Sequence, residues 1–314
     1  MTRPSATACG ASTAAIDPPA ARSARSARDL VELTKPRITV IVVATCGAGM
    51  AMAPAKIPAT MAALALLGTS LIVASANVLN MWWERDTDGL MSRTLKRPLP
   101  AGRMAPDVAL FFGLALGASS VPMLVAVNPL TAALGVVALV TYVLAYTPLK
   151  RHTSLALWVG AVPGAMPPLM GWTSATGSLR SGEGLAGLGG ILLFLFLFTW
   201  QLPHFNAIAL FRASDYEKAG LKVVSVERGP ATAKAHIAGY TVLLVAISLG
   251  LAAAHVAGTV FSVSAAALGV LFLALAGAGL RRGAGAGWAR GVFAYSIVYL
   301  SVLLAILVAD KVGV

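Results

Sequence analysis

The chain has 314 residues, a net charge of +12, 11% charged residues and a mean hydropathy of +0.80. A soluble domain carries about 25% charged residues, so this composition excludes one and reads as an all-α integral membrane protein. In a soluble protein the basic excess would suggest nucleic acid. Here it belongs to cytoplasmic loops, which collect Lys and Arg, and no nucleic-acid partner is expected.

Residues 1–30 are rich in Ala, Ser and Arg, with Arg22, Arg25 and Arg28 three apart. They read as a disordered basic extension in preference to a mitochondrial transit peptide. The membrane domain is expected over 31–314. A spanning helix needs about 20 mostly apolar residues. By that measure the sequence predicts nine spans: 38–54, 59–83, 107–127, 129–147, 155–175, 185–203, 233–255, 258–280 and 289–309. Charge tests the count. With nine spans, 21 of the 24 Lys and Arg residues fall on one side, and only Lys56, Arg180 and Lys311 on the other. That asymmetry predicts a cytoplasmic N-terminus and a C-terminus on the opposite side. The two longest connections, 84–106 and 204–232, both fall on the cytoplasmic side.

Four constellations carry chemistry. At the end of the second span, Asn80, Glu84 and Asp88 recur every fourth residue. If the helix continues through them, they share one face. A carboxylate facing hydrocarbon costs on the order of 3 kcal/mol, so these groups are expected to face the bundle interior. Magnesium takes one or two carboxylates plus substrate phosphate oxygens, so the face is a candidate metal and diphosphate site. Second, Arg93, Lys96 and Arg97, then Lys150, Arg151 and His152, supply cations that can grip a diphosphate. Third, Gln201 and His204 end a very apolar helix, followed by Arg212, Asp215 and Tyr216. His204 has the chemistry to bind a haem iron, move a proton or touch phosphate. Asp215 is a candidate for a second metal site. Fourth, Pro163, Pro167 and Pro168 interrupt the fifth span, which predicts a broken helix lining a substrate chamber. The two cysteines, Cys9 and Cys46, match no metal or disulfide pattern.

Together these pieces resemble a family. From about Leu33 onward, the order of Leu33-Thr34-Lys35-Pro36-Arg37, Asn80 to Asp88, Arg93-Thr94, Arg97-Pro98-Leu99-Pro100, Tyr146-Thr147-Pro148-Leu149-Lys150-Arg151, Gly164-Ala165, Pro167-Pro168-Leu169, Gly171-Trp172, Trp200-Gln201, Pro203-His204-Phe205 and Asp215-Tyr216 resembles the protohaem IX farnesyltransferases among the UbiA-type membrane prenyltransferases. The resemblance implies nine helices around a central cavity closed by cytoplasmic loops. It implies Mg2+ bound with farnesyl diphosphate, haem b as acceptor, and haem O as product. It assigns Asn80, Glu84 and Asp88 to the metal, and Lys35, Arg93, Arg97, Lys150 and Arg151 to the diphosphate. It also places His204 near haem or the reacting centre and Asp215 at a second site. Glu84 stands where the wider family usually has Asp. After Gly220 the family usually has Ile-Pro-Met-Leu-Pro-Val, whereas this chain has Leu221-Lys222-Val223-Val224-Ser225-Val226. The implied location is the bacterial inner membrane, multi-pass, with the mitochondrial inner membrane as the alternative. Membrane lipid surrounds the chain, and a haem A synthase is a candidate partner. The rival readings are the same fold with an aromatic quinone precursor or chlorophyllide as acceptor, and a haem or solute transporter.

Overall fold

The computed structural model describes residues 27–281 and 283–311, so most of the expected N-terminal extension lies outside the described residues. Residues 27–33 are helical, and buried Asp29 pairs with Arg103 at 3.0 Å. Helical residues are thus already present just before residue 31.

Among the described residues nine long helical rods follow, in the expected order: α1 (Pro36–Met52), α2 (Ala59–Asp88), α3 (Pro106–Val127), α4 (Pro129–Leu149), α5 (Ala156–Thr176), α6 (Gly189–Phe211), α7 (Pro230–Ala253), α8 (Thr259–Ala278) and α9 (Ala286–Ala309). Seven are long and apolar enough to cross a membrane; α1, with 17 residues, is a shorter apolar helix. Proline sits in the first turn of α1, α3, α4 and α7, where its missing N–H costs no helical bond.

Neighbours in sequence pack as neighbours in space, and α9 meets α1 to close the circle. One core joins α6 to α9 through Phe196, Leu244, Phe261, Phe272, Tyr299 and Leu303. A second joins α1 to α5 through Cys46, Ile72, Leu124, Leu169 and Met170. Large apolar side chains such as Phe111, Val263 and Val270 remain 64–70% exposed. On a chain of this hydropathy that outer face is lipid-facing.

Three expectations need correction. The second span does not end at 83. α2 runs unbroken for 30 residues, about 45 Å at 1.5 Å per residue, against about 30 Å of hydrocarbon. Its last turns therefore project beyond the apolar layer and carry Glu84 and Asp88 with them. The sixth span does not end at Pro203, because α6 continues through that proline to Phe211. In an apolar bundle, neighbouring helices and Ser/Thr side chains absorb a proline that would end a helix in water. The fifth span is likewise not broken: α5 is continuous through all three prolines.

The Gly and Pro residues of α5 serve close packing instead. The α-carbon of Gly171 lies so near Cys46 O of α1 that a Cβ would collide with that backbone oxygen, and Gly49 of α1 approaches Pro168 O in the same way. Small residues that let backbones approach are the usual basis of helix contact in lipid. We expect Gly171→Ala to lower stability by about 1–3 kcal/mol, the usual cost of overpacking. Gly239→Ala, where a Cβ meets nothing, should leave stability unchanged or raise it slightly. Thermal unfolding in detergent distinguishes the two. Equal melting temperatures would refute the close-approach role.

Candidate active site

The site forms where α2 leaves the apolar layer. Asn80, Glu84 and Asp88 are 3%, 8% and 1% exposed, on the inward face that their spacing predicts. Asn80 Nδ2 donates to Glu84 Oε2 at 3.0 Å and to Thr147 Oγ1 at 3.0 Å. Glu84 Oε1 pairs with Lys150 Nζ at 2.5 Å. Asp88 Oδ2 accepts from Arg97 at 2.6 Å, and Thr94 Oγ1 ties the Asp88 carbonyl at 2.7 Å. Arg151, next to Lys150, donates to Thr87 Oγ1. The structure thus brings the acid face together with Arg97 from the following loop and with Lys150 and Arg151 from the end of α4.

A local irregularity aims Lys150. Pro148 cannot donate, and its ring would clash with the carbonyl four residues back in a regular helix. The chain widens to a π-helical turn over Thr141–Tyr146 just before it. Thr147 donates to Tyr142 O through both its N–H and its hydroxyl, the latter at 2.8 Å. Such turns recur at functional sites. Here the widened turn sets the Lys150 ammonium 4.5 Å from the centre of the Tyr146 ring while it pairs with Glu84.

Lys35 precedes α1 in a left-handed conformation, with φ 48°. Its pKa is lowered to about 7, chiefly by desolvation and then by the charges of Arg97 and Lys150, against the pull of Glu84 and Asp88. It therefore shares the field of the same four groups.

Two loops clasp over this end. Ser92 Oγ donates to both Asp215 oxygens at 3.1 and 3.2 Å, and Arg93 donates to the Tyr216 hydroxyl at 3.3 Å while stacking on its ring. Arg212 lies 3.8 Å from Asp215. Arg93 and Asp215 therefore belong to the clasp rather than to the acid face itself. The departure after Gly220 also has a structural use. Lys222 N–H donates to Lys150 O at 2.8 Å, a bond that proline could not make, and Ser225 Oγ donates to Ala209 O at 2.9 Å.

His204 lies elsewhere. It faces α9, stacked on Trp200 and against Phe293. Ser296 Oγ spends its single proton on Phe293 O at 2.6 Å, so His204 Nδ1–H is the donor to Ser296 Oγ at 2.7 Å. That tautomer leaves Nε2 as a free base. The described contacts do not join His204 to the acid face.

Beside Lys150 a cavity opens between α4, α5, α6 and the 216–224 segment, walled by Tyr146, Leu157, Phe205, Asn206 and Tyr216. Spacing alone did not single out the role of these walls.

An Mg2+ ion fits the donor set, because two carboxylates and an amide oxygen are hard oxygen ligands. Among the described residues no three Asp, Glu, His or Cys side chains converge to hold a metal. An ion here takes at most two protein carboxylates and needs phosphate oxygens or water for the rest, which is the usual habit of Mg2+.

Comparison with known proteins agrees with this architecture. The family model "UbiA prenyltransferase family" matches residues 42–301. Protoheme IX farnesyltransferase of Myxococcus xanthus is 48% identical over 287 residues, covering 91% of this chain and 95% of the relative. The Sorangium cellulosum protein of the same name is 52% identical over 254 residues, covering 81% and 88%. Among solved structures, one of digeranylgeranylglyceryl phosphate synthase superposes with a TM-score of 0.76 at 15% identity, covering 90% of this chain and 97% of that one. A UbiA homolog from Archaeoglobus fulgidus bound to GPP and Mg2+ superposes with a TM-score of 0.62 at 16% identity, covering 89% and 99%. At such identities these two structures establish the fold. The sequence relatives go further: this chain belongs to the UbiA prenyltransferase family, and within it to the protoheme IX farnesyltransferases.

Proposed function

We propose that the chain transfers the farnesyl group of farnesyl diphosphate to a vinyl group of haem b, with addition of water, giving haem O and diphosphate. The observation that carries this reading is the pairing of buried Glu84 and Asp88 with Lys150 and Arg97 at one end of the bundle. Four charges converge there, in a form that an incoming diphosphate and its counter-ion can exchange. The protoheme IX farnesyltransferases, at 47–52% identity, supply the acceptor in this reading.

Glu84, Asp88 and Asn80 would hold Mg2+, which supplies charge neutralisation to the diphosphate leaving group when bound. Lys150 and Arg97 turn from the carboxylates to the phosphate oxygens. Arg93, Arg151 and Lys35 complete the basic rim. Arg97 grips in a fork, and Lys150 acts as a point charge. Fixed cations at the departing oxygen stabilise the charge that develops as the C–O bond ionises, usually the largest catalytic contribution. The Ser92–Asp215 and Arg93–Tyr216 contacts hold the two loops over the site and keep bulk water from the allylic cation. In this reading His204, with Nε2 unprotonated and half-exposed Phe205 beside it, would meet haem from the α6–α9 side. The location in this reading is the inner membrane of a bacterium, with the basic loops and the site on the cytoplasmic face. An aromatic quinone precursor as acceptor is the alternative, and haem extraction from a host with and without the chain separates the two.

The acid face is tested with Glu84→Gln and Asp88→Asn. Haem O formation in isolated membranes supplied with farnesyl diphosphate should fall at least ~100-fold in the double variant, in line with loss of a preorganised electrostatic group. Near-normal turnover that still requires Mg2+ would remove these residues from the site. Lys150→Met tests the pair differently. It leaves Glu84 buried without its cation, a change worth about 3–5 kcal/mol, so a lowered melting temperature is expected along with lost activity. Adding Glu84→Gln should restore much of the stability but none of the turnover. Orientation is read with reporter fusions: alkaline phosphatase placed after Val314 should be active outside the cell, and inactive when placed after Arg228.

A further inference from the structure

Asn80 meets the acid face through an amide, and an amide has two unlike sides. Its oxygen attracts a cation and its NH2 group repels one. The side on offer is set by a chain of hydrogen bonds that ends outside the acid face. Asn80 Nδ2 spends its two hydrogens on Glu84 Oε2 and Thr147 Oγ1, both at 3.0 Å. Glu84, ionised against Lys150, can only accept. Thr147 Oγ1 gives its single hydrogen to Tyr142 O at 2.8 Å, so toward Asn80 it too can only accept. A flipped amide would set Oδ1 against two acceptors. Oδ1 is therefore the atom left for a ligand. Among the described residues no donor reaches it, and it does not belong to the solvent-inaccessible atoms without a partner, so it keeps an open side.

The two partners of the amide are not equivalent. In the reading above Glu84 turns to the metal when substrate binds, and Asn80 then loses it as an acceptor. Thr147 takes no part in that exchange. It is 1% exposed, and its β-branched side chain is stiff at χ1. In a regular α-helix its N–H would meet the carbonyl of residue 143. At the close of the π-helical turn that N–H reaches Tyr142 O instead, the same oxygen that takes the hydroxyl hydrogen. One carbonyl thus holds Thr147 at two points, and the backbone of α4 fixes the acceptor that faces α2. Without that acceptor the amide would keep one partner before substrate binds and none after, with both of its orientations open.

We propose that Thr147 is a positioning residue that holds the Asn80 amide with its oxygen presented to the divalent cation, both before and after the buried ion pairs open. This rests on the reading above, in which Asn80, Glu84 and Asp88 hold Mg2+. Thr147 acts only through Asn80. Groups that orient a ligand in this way typically cost 10–100-fold in metal affinity when they are removed. The π-helical turn therefore serves the metal side of the site through Thr147 as well as the phosphate side through Lys150.

The test reads metal binding apart from turnover. Purified full-length protein is titrated with Mn2+ in the presence of farnesyl S-thiolodiphosphate, a poorly ionising analogue of the substrate, and free Mn2+ is followed by its electron paramagnetic resonance signal. The analogue alone takes the same share of metal in every sample, so differences between variants report the protein. Thr147→Val has the same shape without the hydroxyl and should raise the dissociation constant for Mn2+ by about tenfold or more. Thr147→Ser should return it to near the wild-type value. The decisive arm is the Asn80→Asp background. A carboxylate presents an oxygen whichever way it is turned, so there Thr147→Val should change the constant little. Thr147→Ala serves if the valine variant does not fold, as judged by its melting temperature. An unchanged constant in a folded valine or alanine variant overturns the proposal, as does failure of serine to restore it. An equal loss in the Asn80→Asp background also overturns it, because the hydroxyl would then act by a route other than the amide. Failure of wild type with the analogue to take up any Mn2+ overturns the functional reading instead.

Discussion

The structure depends on keeping two carboxylates dry. Glu84 and Asp88 sit in the last turns of α2, nearly excluded from solvent, each against one cation. Desolvating an ion costs several kcal/mol, and replacing a buried pair by apolar side chains of similar volume is often neutral or stabilising. Stability alone therefore does not account for two such pairs, one turn apart, at the edge of a membrane domain. Exchange would account for them: in the proposed reading Lys150 and Arg97 neutralise the acids, and on substrate binding Glu84 and Asp88 would hold the metal while the two bases would hold the phosphate oxygens.

That exchange needs cations delivered from different parts of the chain to one spot. α2 supplies the acids because it is longer than the apolar layer is thick. α4 supplies Lys150 and Arg151 because they follow directly on its end at Leu149, one turn past the π-helical stretch. The loops after α2 and α6 meet above them through Ser92–Asp215 and Arg93–Tyr216. Lys222 N–H fastens the second loop to the backbone of Lys150 itself. The Lys and Ser that stand at 222 and 225 in place of the family's usual prolines thus tether the lid by hydrogen bonds where prolines would stiffen it.

Much of this was legible in the sequence because membrane helices obey simple periodicities. The rods and their order follow from apolar length, and the acid face follows from spacing of four. What spacing cannot encode is partnership across the chain. Ser92 and Asp215 are separated by 123 residues, and nothing local to either announces the other. Proline misled the reading twice. Pro203 and the three prolines of α5 signal breaks by the rules of helices in water, whereas packed neighbours tolerate them in lipid. His204 drew attention as the titratable residue of its segment, yet its side chain turns toward Ser296.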